Sequence, residues 1–80
     1  MNARARRSKR RKDIIAICDE MRTDSMDGNG LDPNNYEPED LKDCIKNCLG
    51  LDYLSDPEYR LAVVAFEEGT AAAKSSVWYK

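Results

Sequence analysis

The chain has no histidine among its 80 residues. That absence removes the commonest general base, proton shuttle and neutral metal ligand together. Three cysteines are present (Cys18, Cys44 and Cys48), an odd number that does not close into a disulfide framework. A zinc site built on them lacks its fourth ligand, and a cysteine nucleophile lacks its usual base. The thiols are therefore expected to be small, buried, apolar groups. Glycine is sparse, at four residues, and no glycine-rich phosphate cradle is present. Glu67 and Glu68 are adjacent, so on a helix they point in different directions and make no paired-carboxylate site. No enzyme activity, metal or cofactor is expected.

Long apolar runs are missing as well. Nothing approaches the ~20 residues that span a bilayer. The run IIAIC, from Ile14 to Cys18, is too short for the apolar region of a secretory signal before Asp19 and Glu20 intervene. We expect no membrane partner and a cytoplasmic location. A chain of 80 residues supports one small domain with a marginal core.

What the sequence does have is a segregated charge. Seven of the first twelve residues are Arg or Lys and none is acidic, whereas residues 13–80 carry six basic and fifteen acidic side chains. A +7 arm is thus joined to a −9 body, a split that the net charge of −2 conceals. The division suggests a basic arm over residues 1–12 and a small acidic helical domain over residues 13–80.

Periodicity predicts three helices. The first runs from about Ala3 to Met21 or Arg22, with Ile14, Ile17, Cys18 and Met21 at spacings of three and four. Its first half has no apolar residue larger than alanine, so it is expected to project into solvent as a basic spike. Residues 23–37, rich in Gly, Asn and Asp, read as a loop. The stretch DGNG resembles part of a calcium loop, but the twelfth ligand position falls on Tyr36, so a solvated connector is the better reading. The second helix opens at Pro38, with Glu39 and Asp40 at its positive end, and Gly50 is its stop. Its face is Leu41, Cys44, Ile45, Cys48 and Leu49.

The third helix begins at SDPEY, where Ser55 or Asp56 caps, Pro57 takes the first helical position and Glu58 completes a Ser-x-x-Glu box. Leu61, Val64 and Ala65 form its stripe, widened by Val63 and Phe66. Gly69 ends it, or AAAK carries it on to about Lys74. Leu51, Tyr53 and Leu54 are expected to plug the core from the connector. The fold class read from this pattern is all-α, a small three-helix unit with a protruding basic N-terminal helix.

Seven charges over nine positions nearly encircle a helix: Arg4, Arg6, Arg7, Lys9, Arg10, Arg11 and Lys12. Like charges three and four apart repel, so the arm is expected to be partly disordered when free and helical against a polyanion. The arginine bias favours bidentate phosphate contacts and stacking on bases. Ala3 and Ala5 keep one sector slim enough to enter a groove. Structured RNA fits better than DNA, because arginine-rich segments that fold on binding recur in RNA recognition. The competing readings are a generic nucleic-acid tether, a nuclear import signal, and a tail that pairs with the protein's own acidic body.

The segment MNARARRSKRRKDIIAIC resembles the N-terminal arginine-rich motif of the lambdoid-phage N antitermination proteins. Asn2 and Ala3 match the start of that motif, Arg6-Arg7 and Arg10-Arg11 its two arginine pairs, and Ala16 a small residue beyond them. The resemblance implies a bent helix in the major groove of a boxB-type RNA hairpin. Ala3, Arg6, Arg7, Arg10 and Arg11 would grip the stem, and Arg4, Lys9 and Lys12 would add electrostatic contacts. Cys18 stands where some members stack an aromatic on the RNA loop, so stacking is absent here. The resemblance covers residues 1–18, and the acidic body does not match the family.

Nine carboxylates, Asp19, Glu20, Asp24, Asp27, Asp32, Glu37, Glu39, Asp40 and Asp43, crowd a stretch of 25 residues. They form either a solvated surface or a docking face for a basic protein partner. Trp78 and Tyr79 near the C-terminus either fold over the core or anchor another protein. Short apolar stripes also allow pairing with a second copy of the chain. The function expected is that of a small, phage-encoded, RNA-binding regulator of transcription whose body meets a protein such as the transcription machinery. The alternative is a virion or host-inhibiting interaction protein whose arm touches nucleic acid nonspecifically.

Overall fold

The computed structural model describes the backbone of residues 3–76 and the side chains of residues 9–76. It is all-α, with helices α1 (Ala3–Met26), α2 (Pro38–Leu49), α3 (Asp56–Glu68) and α4 (Thr70–Ser75). The long α1 packs chiefly on α3, with α2 and α4 against its flanks. The expected three-helix unit therefore gains a short fourth helix. Gly69 stops α3, its N–H donating to the carbonyls of Val64 and Ala65, and the alanine-rich run that follows starts a new turn.

Helix α1 ends later than expected, at Met26 rather than Met21 or Arg22. Thr23 does not break it, because its hydroxyl donates back to the carbonyl of Asp19 at 3.0 Å and so is satisfied inside the helix. The stop comes at DGNG, where Gly28 takes a φ of 85° and Asn29 N–H closes on the Asp24 carbonyl at 2.9 Å. In the connector that follows, Asp32 Oδ1 accepts from the Asn34 N–H at 2.9 Å, a side-chain-closed turn.

The other caps follow their sequence signals. Gly50, at φ 66°, ends α2 in the left-handed region, and its N–H and that of Leu51 both reach the Lys46 carbonyl. Ser55 and Glu58 form the reciprocal capping box of α3. The Glu58 N–H donates to Ser55 Oγ at 3.4 Å, and the Ser55 N–H and hydroxyl donate to Glu58 Oε1 at 3.1 and 2.7 Å.

The core is Ile14, Ile15 and Cys18 from α1, Leu41 and Ile45 from α2, Leu61, Ala62, Ala65 and Phe66 from α3, Ala73 from α4, and Leu54 from the connector. Ile17 and Met21, expected at the centre of the α1 stripe, lie half-buried at its edge, and Ile15 takes their place. Tyr53 does not plug the core but is 71% exposed. It is adjacent to Leu54, and the backbone that turns Leu54 inward turns its neighbour out. Cys48 is exposed and Cys44 half-buried, so only Cys18 is a fully buried thiol. Cys48 shares the azimuth of Leu41 and Ile45 but sits in the last turn of α2, beyond the covered part of that stripe. Trp78 and Tyr79 lie outside the described residues. Among the described residues no helix is long and apolar enough to cross a membrane.

Candidate nucleic-acid interface

Helix α1 runs unbroken from Ala3 through the whole basic arm and into the core. The backbone of the arm from Ala3 onward is part of that helix. Propagating a helix costs little once a packed segment has nucleated it, and Ile14, Ile15 and Cys18 provide that segment. Residues Ala3, Arg4, Arg6 and Arg7 have their backbone in α1, but their side chains lie outside the described residues. Lys9, Arg10 and Lys12 are exposed, and Arg11 is half-buried.

The two arginines nearest the body do not simply project into solvent. Arg11 stands three residues before Ile14 and four before Ile15, on the stripe that faces the body. Its Nε is buried without a hydrogen-bond partner. An unsatisfied donor of this kind costs about 1–3 kcal/mol, so the docked position of Arg11 is a strained one. Arg10 Nη1 reaches Glu58 Oε2 at 3.5 Å, an ion pair across 48 residues of sequence. Glu58 is the residue that completes the capping box of α3. At Arg10 and Arg11 the helix therefore leans on the body.

The charge order along α1 opposes its own dipole. The first turn holds no acidic residue and the last turn no basic one. The positive helix end carries all the arm's cations, while Asp19, Glu20 and Asp24 crowd toward the negative end. Such an arrangement weakens a helix by itself and reinforces the positive potential at its N-terminus. Carboxylates along the arm would have neutralised that potential, and the first one in the helix is Asp13.

Residues past the arm serve the core. Cys18 is fully buried, and burial pushes its thiol up to about 12 from an ordinary value of 9.0. Ile14 is also fully buried, whereas Ala16 is exposed. Both Cys18 and Ile14 therefore belong to the core and not to the exposed surface of α1.

On the body, all nine carboxylates from Asp19 to Asp43 named above are exposed. Lys42 and Lys46 lie beside Glu39 and Asp43 at 3.7 and 3.4 Å, one helical turn away in each case, and Lys42 Nζ also sits 4.8 Å over the Tyr59 ring. Tyr36 packs edge-on against Phe66, with ring centroids 5.3 Å apart, and its hydroxyl donates to Glu67. Burial, and then the Glu67 carboxylate, raise the Tyr36 phenol above its ordinary value. Burial also raises Cys44, aided by the charges of Cys48, Asp40 and Asp43. Among the described residues no three Cys, Asp or Glu side chains converge as metal ligands.

No family model, curated protein or solved structure matches the chain. The reading of the arm therefore rests on its own residues. Sequence reasoning found the arm's basic positions and missed Glu58 as their neighbour. The only signal for Glu58 was its place in the capping box, which says nothing of a helix packed alongside.

Proposed function

We propose that this protein is a small regulator, phage-encoded, that binds a structured RNA through the basic N-terminal half of α1 and modulates transcription in the manner of antitermination. The observation that carries this reading is the placement of the cations at the positive end of a continuous helix. Folding stability gains nothing from that placement, and a bound polyphosphate gains a great deal. Arginine makes up five of the seven cations, which suits bidentate contacts to phosphate and to guanine edges. Ala3, Arg6, Arg7 and Arg10 grip the stem, Arg11 joins them by leaving its strained seat on the body, and Arg4, Lys9 and Lys12 supply charge. The acidic body, held away from the RNA by α1, meets protein, with the transcription machinery as its partner.

A second reading has its own support in the exposed carboxylates of α1, the connector and α2. On that reading the body is a structural or host-inhibiting module, and the arm is a nonspecific tether. One binding experiment separates the two. A panel of boxB-type hairpins, scrambled RNA of equal length and duplex DNA is titrated across salt. The regulator prefers one hairpin by a factor on the order of 1,000 or more at physiological salt. The tether shows only a common, steeply salt-dependent affinity for all three.

A further inference from the structure

We propose that Glu58 is an internal stand-in for a nucleic-acid phosphate, an autoinhibitory contact that holds Arg10 of the unbound arm and must release it when Arg10 takes an RNA phosphate. The inference rests on the reading of the arm as a polyanion binder and adds a control element to it.

The geometry of the carboxylate is the starting point. Glu58 Oε1 is occupied by the capping box, accepting from the Ser55 N–H at 3.1 Å and from the Ser55 hydroxyl at 2.7 Å. Those bonds fix the carboxylate plane, and the second oxygen, Oε2, faces Arg10 Nη1 at 3.5 Å. The anion is therefore preorganised by α3 rather than carried on a free side chain. It lies in the first turn of a 13-residue helix, at the positive end of that helix's dipole. Arg10 is more exposed than Glu58 in this pair, with 43% of its side-chain surface open against 21%. The cation is accordingly the partner that can leave.

The contact is long for a charge-assisted hydrogen bond, which normally closes to about 2.7–2.9 Å. It is a weak hold that a phosphate can outcompete. Its neighbour Arg11 behaves in the opposite sense, because its buried Nε has no acceptor and is relieved by moving outward. The base of the arm thus has one arginine restrained by the body and one strained against it. Any ligand that engages Arg10 must first break the Glu58 contact, and its apparent affinity falls by the fraction of arms already open. A ligand that touches only the outer arm escapes that penalty.

Glu58→Gln tests the proposal without dismantling α3, because glutamine also completes a capping box. Binding of total transfer RNA, a structured RNA of mixed sequence, is measured at low salt for four full-length chains: native, Glu58→Gln, Arg10→Ala and the double variant. Thermal melts verify that all four fold. We expect Glu58→Gln to tighten binding about two- to fivefold, the size of an exposed ion pair, and to change nothing when Arg10 is already alanine. Equal affinity of the native and Glu58→Gln chains overturns the contact as a control element and leaves the RNA reading intact. Equal tightening in both backgrounds assigns the gain to general removal of negative charge and also overturns it. Absence of binding by every chain overturns the inference and the RNA reading together.

Discussion

Arg22 of α1 donates from one Nη to the carbonyl of Phe66 at 2.9 Å, in the last turn of α3, and to the adjacent Glu67 carbonyl at 2.7 Å. Helix α3 has no basic residue in its own last turn, so α1 provides the cation that its negative end lacks. The contact also sets the angle of α1. With Phe66 clamped at one end of the interface and Arg10 beside Glu58 at the other, α3 aligns α1 from Arg10 to Arg22.

Arg22→Ala is expected to lower stability by about 1–3 kcal/mol, because two charge-assisted bonds to carbonyls are lost. Arg22→Lys should recover part of that, since an ammonium also has donors for two carbonyls but sits on a shorter side chain that reaches them less well. Denaturant midpoints measure both variants. An Arg22→Ala midpoint equal to that of the native chain would show that the clamp contributes nothing.

Ser55→Ala removes an acceptor for the Glu58 N–H and a donor to Glu58 Oε1 in one change. The expected loss is about 0.5–2 kcal/mol. It should exceed the loss in Glu58→Gln, which keeps an oxygen in place. The order of the two melting temperatures checks this, and a reversed order would contradict the assigned roles.

Alkaline pH should unfold the chain through its buried acids. The Cys18 thiol titrates at about 12 in the folded state and at 9.0 when unconstrained. The folded state therefore holds this proton more tightly, and its contribution is complete below pH 9 and lost as pH rises from 9 to about 12. Tyr36, also raised, adds to the decline at the upper end. Urea unfolding as a function of pH measures the slope. Cys18→Ala should flatten it across that window while lowering stability at neutral pH by leaving a small cavity, and an unchanged slope would remove Cys18 from the explanation.

Amide exchange along α1 should be graded. Residues 3–12 are expected to exchange faster than Ile14 to Cys18, because only the latter are seated in the core. Added salt should slow exchange in the arm by screening its like charges, and bound RNA should slow it further. Uniform protection along α1 in the free protein would contradict the grading.

The extent to which the sequence disclosed this structure differs from element to element. Ser55, Glu58, Pro38 and Gly50 act within four residues of themselves, so their caps could be read directly. DGNG likewise marked a stop, but the run TDSM before it was read as loop together with the Gly-, Asn- and Asp-rich residues that follow, whereas Thr23 bonds back to Asp19 inside the helix. Ile15 and Tyr53 were misassigned for a different reason. Which side of an element is covered depends on where its neighbours sit, and neither a three-and-four spacing within a helix nor a place in a short connector determines that. Ala62 and Ala73 were passed over because a small residue becomes core only through close approach of another helix. At the interface, the basic positions were evident from composition. The seat of Arg11 and the pairing of Arg10 with Glu58 were not, since each depends on packing between segments far apart in the chain.

The most direct measurement compares the native chain with one in which Arg6, Arg7, Arg10 and Arg11 are all lysine, each titrated with its preferred hairpin and with duplex DNA. Charge is conserved in that exchange, and only the guanidinium forks are lost. The account predicts that hairpin affinity collapses to the level of DNA, while the salt dependence shared by both ligands is retained. Near-native hairpin affinity in the lysine chain would contradict it.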